Sequence, residues 1–367
     1  MVLAVSFVVA QKSDGSDLFV VIVNDKRGYI DRTGKIVIEP KWGGADDFSE
    51  GLAKVATYDS HYKEGYIDTT GKIAIPLEFD QASDFENGLA LVGVGKFGLH
   101  GSGDHRFGFI DKKGNWVIKP IYRDLYGFSD GLAAAKNDEG KWGFIDITGK
   151  VVIVFQFEIG SFFSEGLARM YSKDKSRYGY IGSSGKWIIE PLFTEASSFT
   201  DGVTIVKLRG VLSNPYPLGM TSISGDEDND RQFLIIDKSG KTIFTFANNV
   251  LSVNGFSEGL AAVEVKGTKD PPLTGFIDKT GKFVLEPKYA FVDSFKEGFA
   301  QFLLDGKWAF LDKQGKVVFS TDYQVSYGFK NGLAFMEKVG PAGYSDYKNN
   351  KYGYIDKTGK VIWQPTK

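Results

Sequence analysis

Four groups of residues in this chain have the types and spacing to do chemistry. The first is a recurring Asp that closes the phrase Gly-Tyr-Ile-Asp, at Asp31, Asp68, Asp111, Asp146, Asp278 and Asp356. With the Glu or Asp before a second recurring phrase, Phe-x-x-Gly, it offers the paired carboxylates that glycoside hydrolysis requires. The second group is the three histidines, His61, His100 and His105, which with Asp59 or Asp104 form a conceivable zinc ligand set. The third is Asp226-Glu227-Asp228-Asn229-Asp230. Its oxygen donors alternate as in a calcium loop, but Arg231 stands where an EF-hand loop needs Gly. The fourth is a Lys that follows the turn glycine, from Lys35 to Lys360, a pattern that would set out a basic stripe for phosphates.

Repetition separates these candidates. A group that recurs in every unit belongs to the frame, whereas a binding site depends on features that occur once. The Asp residues and the Phe-x-x-Gly carboxylates are therefore expected to be turn residues. Each turn Lys lies four residues after such an Asp, except where Gly182 replaces it. Local pairing then cancels the stripe, and a formal charge of 44 − 46 = −2 leaves no basic field for nucleic acid. The histidines fall in segments of variable length and the acidic run in a long insertion, so a solvated loop is expected for both rather than a metal. No cysteine is present, which removes disulfides and thiolate chemistry. No nucleophile elbow, phosphate loop or paired-histidine helix is found. The reading is of a non-enzyme without metal or cofactor.

The elements that carry these residues follow from the two phrases. Gly-Tyr-Ile-Asp-x-x-Gly-Lys begins at Gly28, Gly65, Gly108, Gly143, Gly179, Gly275 and Gly353, with degenerate copies at Leu234 and Ala309. Phe-x-x-Gly-Leu-Ala begins at Phe48, Phe85, Phe128, Phe163, Phe199, Phe256, Phe295 and Phe329. From the Asp of the first to the Ala of the second is 22 residues (31→53, 68→90, 111→133, 146→168, 278→300, 312→334), and only 237→261 makes 24. The stretch from that Ala to the next Gly-Tyr-Ile-Asp varies in length. Each unit thus combines a rigid segment with one variable hairpin. Gly-Tyr-Ile-Asp alternates, and Lys-Ile-Val-Ile is a β-branched run, so both read as strands. Asp31-Arg32-Thr33-Gly34-Lys35 reads as a tight turn with Gly34 at positive φ. Leu-Ala-x-Val opens a third strand, and a short fourth is expected through Asp46-Asp47-Phe48. Pro40, Pro120, Pro191, Pro287 and Pro365 are expected to end pairing after the Lys-x-x-Ile strand.

The units resemble the bacterial WG repeat, also called the KWG repeat. Lys141-Trp142-Gly143-Phe144-Ile145-Asp146 matches its pattern closely and Lys307-Trp308-Ala309 less well. Elsewhere the Trp slot holds Phe107, Tyr178, Tyr352, Glu64 or Thr274. The resemblance implies β-structured interaction modules of surface or multidomain bacterial proteins, with no shared catalysis and no active-site residues to carry over.

The expected fold is all-β: nine short antiparallel β-meander repeats, 1–367, as a single array. A subdivision near 209–231, into 1–208 and 232–367, is the alternative. Leu3-Ala4-Val5 and the last residues, Val361 to Pro365, are complementary halves of one unit. That favours a propeller-like ring closed by its own ends, with an open β-solenoid or superhelix as the other arrangement. Residues 1–10 read as a strand in preference to a signal-peptide remnant. No apolar run is long enough for membrane insertion by a helix. The compartment stays open between cell-surface or exported and cytoplasmic.

Function is expected on the variable hairpins, because insertions at equivalent places project from one face of an array and loops on a rigid scaffold carry recognition. Tyr58, His61, Tyr62, His100, His105, Tyr171, Tyr216, Tyr344 and Tyr347 lie there. They point to a protein partner first. The alternatives are a carbohydrate held on the aromatic loops and, behind it, a glycosidase-like enzyme built from carboxylates of different units.

Overall fold

The computed structural model describes residues 15, 17–57, 62–95, 104–209, 231–267, 272–290, 292–338 and 351–366. No helix occurs among them. They form nine small antiparallel sheets, seven of four strands and two of three, each built like a propeller blade, so the all-β repeat reading holds. The chain divides into two compact units, Met1–Asp104 with Phe109–Trp116, and His105–Gly108 with Val117–Thr366. Leu3-Ala4-Val5 lies outside the described residues, as does most of the 209–231 segment. On either side of that segment, Val203–Arg209 and Arg231–Asp237 pair in one sheet.

The fourth sheet shows the plan. Asp124–Leu125, Leu132–Lys136, Trp142–Asp146 and Val151–Phe157 follow one another, each antiparallel to the next. Ala133 of the Leu-Ala strand stands opposite Ile145 of the Gly-Phe-Ile-Asp strand. The same Ala–Ile register recurs as Ala53–Ile67, Ala168–Ile181 and Ala261–Ile277. The variable hairpin is therefore the link between the second and third strands of one sheet. The rigid 22-residue segment leaves the third strand, runs through the fourth and crosses into the next sheet. The short extra strand is not Asp46-Asp47-Phe48 but the two residues before it, Gly44–Ala45.

Two local devices keep that segment constant in length. At its start, the Asp146 carboxylate accepts hydrogen bonds from the amides of Thr148 (2.9 Å) and Lys150 (3.0 Å). Gly149, at φ 83°, closes the turn, where a β-carbon would strain the backbone. At its end, Glu50 (φ 53°) and Gly51 (φ 89°) are successive left-handed residues. Ser49 and Leu52 exchange both backbone hydrogen bonds around them, which is a type I′ hairpin.

The prolines do not end pairing. Pro40 lies inside Ile36–Trp42, and the ladder resumes beyond it with Arg27 opposite Trp42. The register slips on both sides of Tyr29, so the strand bulges there and the residue left unpaired needs no N–H. The bulge also brings the facing backbone against the Gly of Gly-Tyr-Ile-Asp. A Cβ on Gly65 would sit 2.5 Å from the Pro76 carbonyl oxygen, and one on Gly179 2.6 Å from that of Ile189. Where this Gly is missing, so is the bulge beside it: Ala309 pairs with Ser320 and Leu234 with Thr245 in unbroken register with the residue that follows each.

A buried aromatic pair links successive sheets at four described junctions, whereas in the sixth sheet Ile235 takes the ring's place and packs in one cluster with Phe256. Tyr66 meets Phe85 at 4.8 Å between ring centroids, Phe144 meets Phe163 at 4.9 Å, Tyr180 meets Phe199 at 4.8 Å and Phe276 meets Phe295 at 4.7 Å. In each pair the first ring belongs to one sheet's third strand and the second to the next sheet's Phe-x-x-Gly loop, and all eight rings are at most 1% exposed. Where the first ring is Tyr, its hydroxyl donates to the loop carbonyl two residues before the Phe: Tyr29 to Asp46, Tyr66 to Ser83 (both 2.7 Å) and Tyr180 to Ser197 (2.6 Å).

Gly65→Ala is expected to lower stability by roughly 1–3 kcal/mol through overpacking, whereas Ala309→Gly, at the equivalent position, costs no more than about 1 kcal/mol. Denaturant titration of both variants checks the contrast.

Candidate functional site

The repeated carboxylates are occupied by the frame. Asp31, Asp146, Asp237 and Asp278 are held below the usual carboxylate range, chiefly by hydrogen bonds from Thr33, Thr148, Ser239 and Thr280. The acids inside Phe-x-x-Gly reach the following sheet. Glu50 accepts from the Gly88 amide (3.0 Å) and pairs with Lys112 (2.9 Å). Glu165 does the same with Gly202 (2.8 Å) and Lys238 (3.0 Å), and Glu297 with Gly332 (2.9 Å) and Lys357 (3.0 Å). Burial pushes these glutamates up, but the lysine and amide hydrogen bonds outweigh it and hold them low. These acids lie inside Phe-x-x-Gly and not before it, and each is tied into the frame by an amide and a lysine of the following sheet.

What changes from sheet to sheet is the residue pair at the foot of each variable hairpin. The Trp slot precedes Gly-Tyr-Ile-Asp, and a residue at or near the end of the Leu-Ala strand stands opposite it. That pair is Ala56–Glu64, Lys136–Trp142, Tyr171–Tyr178, Lys207–Phe233, Glu264–Thr274 and Leu303–Trp308 in successive described cases. Three slot rings carry a cation over their face: Lys136 over Trp142 (5.7 Å), Arg169 over Tyr178 (5.2 Å) and Lys207 over Phe233 (4.8 Å). Such contacts are worth about 0.5–1 kcal/mol at exposed sites.

Between the fifth and sixth sheets these groups line a groove of about 270 Å³. Its walls include Arg169 and Tyr178 on one side and Glu195, Lys207 and Phe233 on the other. Arg169 donates to the Ala196 carbonyl (2.7 Å), and Lys207 to Glu195 (2.7 Å). Tyr171 stands edge-on to Tyr178 at 5.1 Å. The groove therefore offers flat rings, cations and a carboxylate within reach of one chain segment. It has no nucleophile–base pair and no metal ligand set.

A different cluster lies in the second sheet. Glu64 fills the Trp slot and is 5% exposed. It accepts from the Tyr62 hydroxyl (2.8 Å) and the Ala82 amide (2.5 Å), with Lys54 at 3.8 Å. Lys54 also pairs with Asp46 (2.9 Å). Burial pushes the Lys54 ammonium down, but the bond to Asp46 and the charges of Asp46, Glu64 and Asp84 raise it overall.

Of the residues singled out in the sequence, Tyr62 is exposed and bonded to Glu64, Tyr171 is half-buried against Tyr178, and His105 is half-buried edge-on to Phe107 at 5.5 Å. Tyr58, His61, His100, Tyr216, Tyr344 and Tyr347 lie outside the described residues, as do Asp59 and the acidic run 226–230. Among the described residues no group of three or more His, Asp or Glu is placed to hold a metal ion. Sequence reasoning missed Lys54, Arg169, Glu195 and Lys207. The one available signal was a charged residue directly after Leu-Ala, at Lys54 and Arg169.

Two measurements check this electrostatic picture. Lys54→Met leaves Glu64 buried without its cation and is expected to cost roughly 2–3 kcal/mol, part of which returns in Lys54→Met/Glu64→Gln on denaturant titration. A depressed folded pKa contributes stability above the unfolded value, and that stability is lost as pH falls through the folded value. Melting temperature is thus expected to hold from pH 7 to about 5 and to fall below about 4, with Asp146→Asn flattening the fall.

Comparison with known proteins places these units in a family. A family model for the WG containing repeat matches residues 28–57, 65–96, 107–142, 142–175, 178–211, 275–308 and 309–339. The unit with the 24-residue step, where Leu234 replaces Gly, is not matched. No curated protein sequence matches the chain. Among solved structures, the computationally designed Ika8 protein is similar with TM-score 0.43 and 13% identity, over 87% of this chain and 95% of that one. BamB from Moraxella catarrhalis is similar with TM-score 0.38 and 12% identity, over 84% and 94%. Seven matched units, five before the unmatched one and two after it and carried by the strands and turns described above, make the chain a member of the WG repeat family.

Proposed function

We propose that the protein is a non-catalytic scaffold that binds a protein partner through its variable hairpins and the residue pairs at their feet. A repeat-blade fold is that of a binding scaffold in general. The observation that carries the finer reading is the division of labour within each unit. Turn aspartates, Phe-x-x-Gly acids and buried rings repeat and are consumed by the frame. The pairs from Ala56–Glu64 to Leu303–Trp308 differ at every sheet, and the hairpins above them differ in length. Rings bearing cations, as at Tyr178 and Phe233, suit a polypeptide that brings acidic and apolar side chains together, because Tyr and Arg give wide contact in recognition surfaces.

The test compares the intact chain with a variant in which Leu212–Glu227 and Gly340–Asn349 are replaced by short Gly-Ser turns, after circular dichroism shows equal β content. The expected result is a partner captured from source-cell fractions by the intact chain, rebound in purified form, and lost or weakened at least tenfold with the variant. Partners retained equally would exclude these two hairpins.

A further inference from the structure

Among the described residues, Gln301 combines a buried position, 4% exposed, with a side-chain oxygen, Oε1, that has no hydrogen-bond partner. A buried amide left so costs its desolvation without recompense unless something else completes it. The residue occupies the place directly after Leu-Ala, which is Lys54 in the second sheet and Arg169 in the fifth. There the protein supplies the partner: Asp46 for Lys54 and the Ala196 carbonyl for Arg169. In the eighth sheet Asp293 holds the place of Asp46, and its amide donates to the Gln301 carbonyl (2.9 Å) as that of Asp46 does to Lys54. With Gln in place of Lys, the Asp293 carboxyl has lost the ammonium that its counterpart has.

These two side chains line a cavity of about 360 Å³. Ala300 and Phe302 turn toward the core shared with the seventh sheet, so strand alternation sets Gln301 on the other face, with Phe299 and Phe310. Those rings and Phe329 form an apolar wall, and Asn254, Ser294 and Lys296 complete the rim. Burial pushes the Asp293 carboxyl up, and Lys296 partly counters it.

The polar groups define what fits. Gln301 Oε1 requires an O–H or N–H donor. Asn254 and Ser294 each offer donors and acceptors. One carboxyl and one ammonium at the rim favour a ligand without net charge. An extended peptide spaces its donors and acceptors along a line at about 3.3 Å per residue. A sugar ring instead carries several hydroxyls, each donor and acceptor, around one compact body with an apolar face. We propose that this cavity binds a neutral sugar unit, with the Gln301 amide and the Asp293 carboxyl as polar anchors and Phe299 in its apolar wall. The site is independent of the hairpins and of the partner proposed for them.

Saturation-transfer NMR and calorimetry of the intact chain with glucose, galactose, N-acetylglucosamine and cellobiose test this. At least one of the four is expected to bind the wild type and Tyr171→Ala equally, and Gln301→Leu at least tenfold more weakly. Gln301→Leu is expected to melt at the wild-type temperature or above it, since it removes an uncompensated amide of similar size. Should that variant fail to fold, Asn254→Ala at the rim is expected to show the same loss. Binding of none of the four at tens of millimolar, or binding that Gln301→Leu and Asn254→Ala leave intact, overturns the proposal. So does a Gln301→Leu that melts lower with no sugar bound to the wild type, which would mark the amide as held by buried water.

Discussion

The contact on which the array depends is the buried pair between the aromatic ring of one Gly-Tyr-Ile-Asp strand and the Phe of the next sheet's Phe-x-x-Gly loop. In these four pairs the two rings are 19 residues apart (66→85, 144→163, 180→199, 276→295), while Ile235, which stands in for the ring in the sixth sheet, precedes its Phe256 by 21. An insertion between two rings is expected to disturb their contact; the one longer connector, in the sixth unit, is also the one that begins at Ile235 in place of a ring. That explains why the connecting segment keeps its length while the hairpin on the other side of the strands does not. Truncating a buried Phe to Ala typically costs about 3–5 kcal/mol, so each such contact weighs heavily in a repeat whose stability comes from its neighbours.

The same geometry decides what the acidic residues can do. A carboxylate that caps a neighbouring turn and holds a lysine, as Glu50, Glu165 and Glu297 do, is committed before any substrate arrives. The turn aspartates are committed in the same way to the amides two and four residues on. The groups that the repeated frame does not use are the slot rings under cations, the Glu64 cluster and the Gln301 amide. Each arises where the residue at an equivalent position differs from sheet to sheet.

Much of the frame was legible because its signals are local. Asp-x-x-Gly-Lys states its own turn, since both bonded amides lie within four residues of the Asp. The alternation of Gly-Tyr-Ile-Asp states its strand. The prolines were misread because their role depends on a partner strand: only the bulge opposite Gly28 or Gly179 shows that pairing continues past Pro40 and Pro191. The short first strand was displaced by two residues because two-residue strands carry no period. Glu64 stood out as an oddity in the Trp slot, but Lys54 and Asp46 come from other strands, and only sheet register brings the three together. Tyr171 was marked as a loop residue, whereas Arg169, Lys207 and Glu195 around its groove were not, because strand positions with charge look like solvated faces until the neighbouring sheet is in place.

The most direct measurement places the same Gly-Gly insertion at two points of the chain and follows thermal unfolding. One goes between Glu139 and Gly140, in the hairpin of the fourth sheet. The other goes after Ile159, between the rings of Phe144 and Phe163. Lengthening a flexible loop costs little, on the order of 0.6 kcal/mol per doubling. The expected result is a hairpin variant that melts within a few degrees of the wild type and a connector variant that loses most of its cooperative transition. Equal melting of the two variants would contradict the view that a fixed-length aromatic link, and not the hairpin, carries the array.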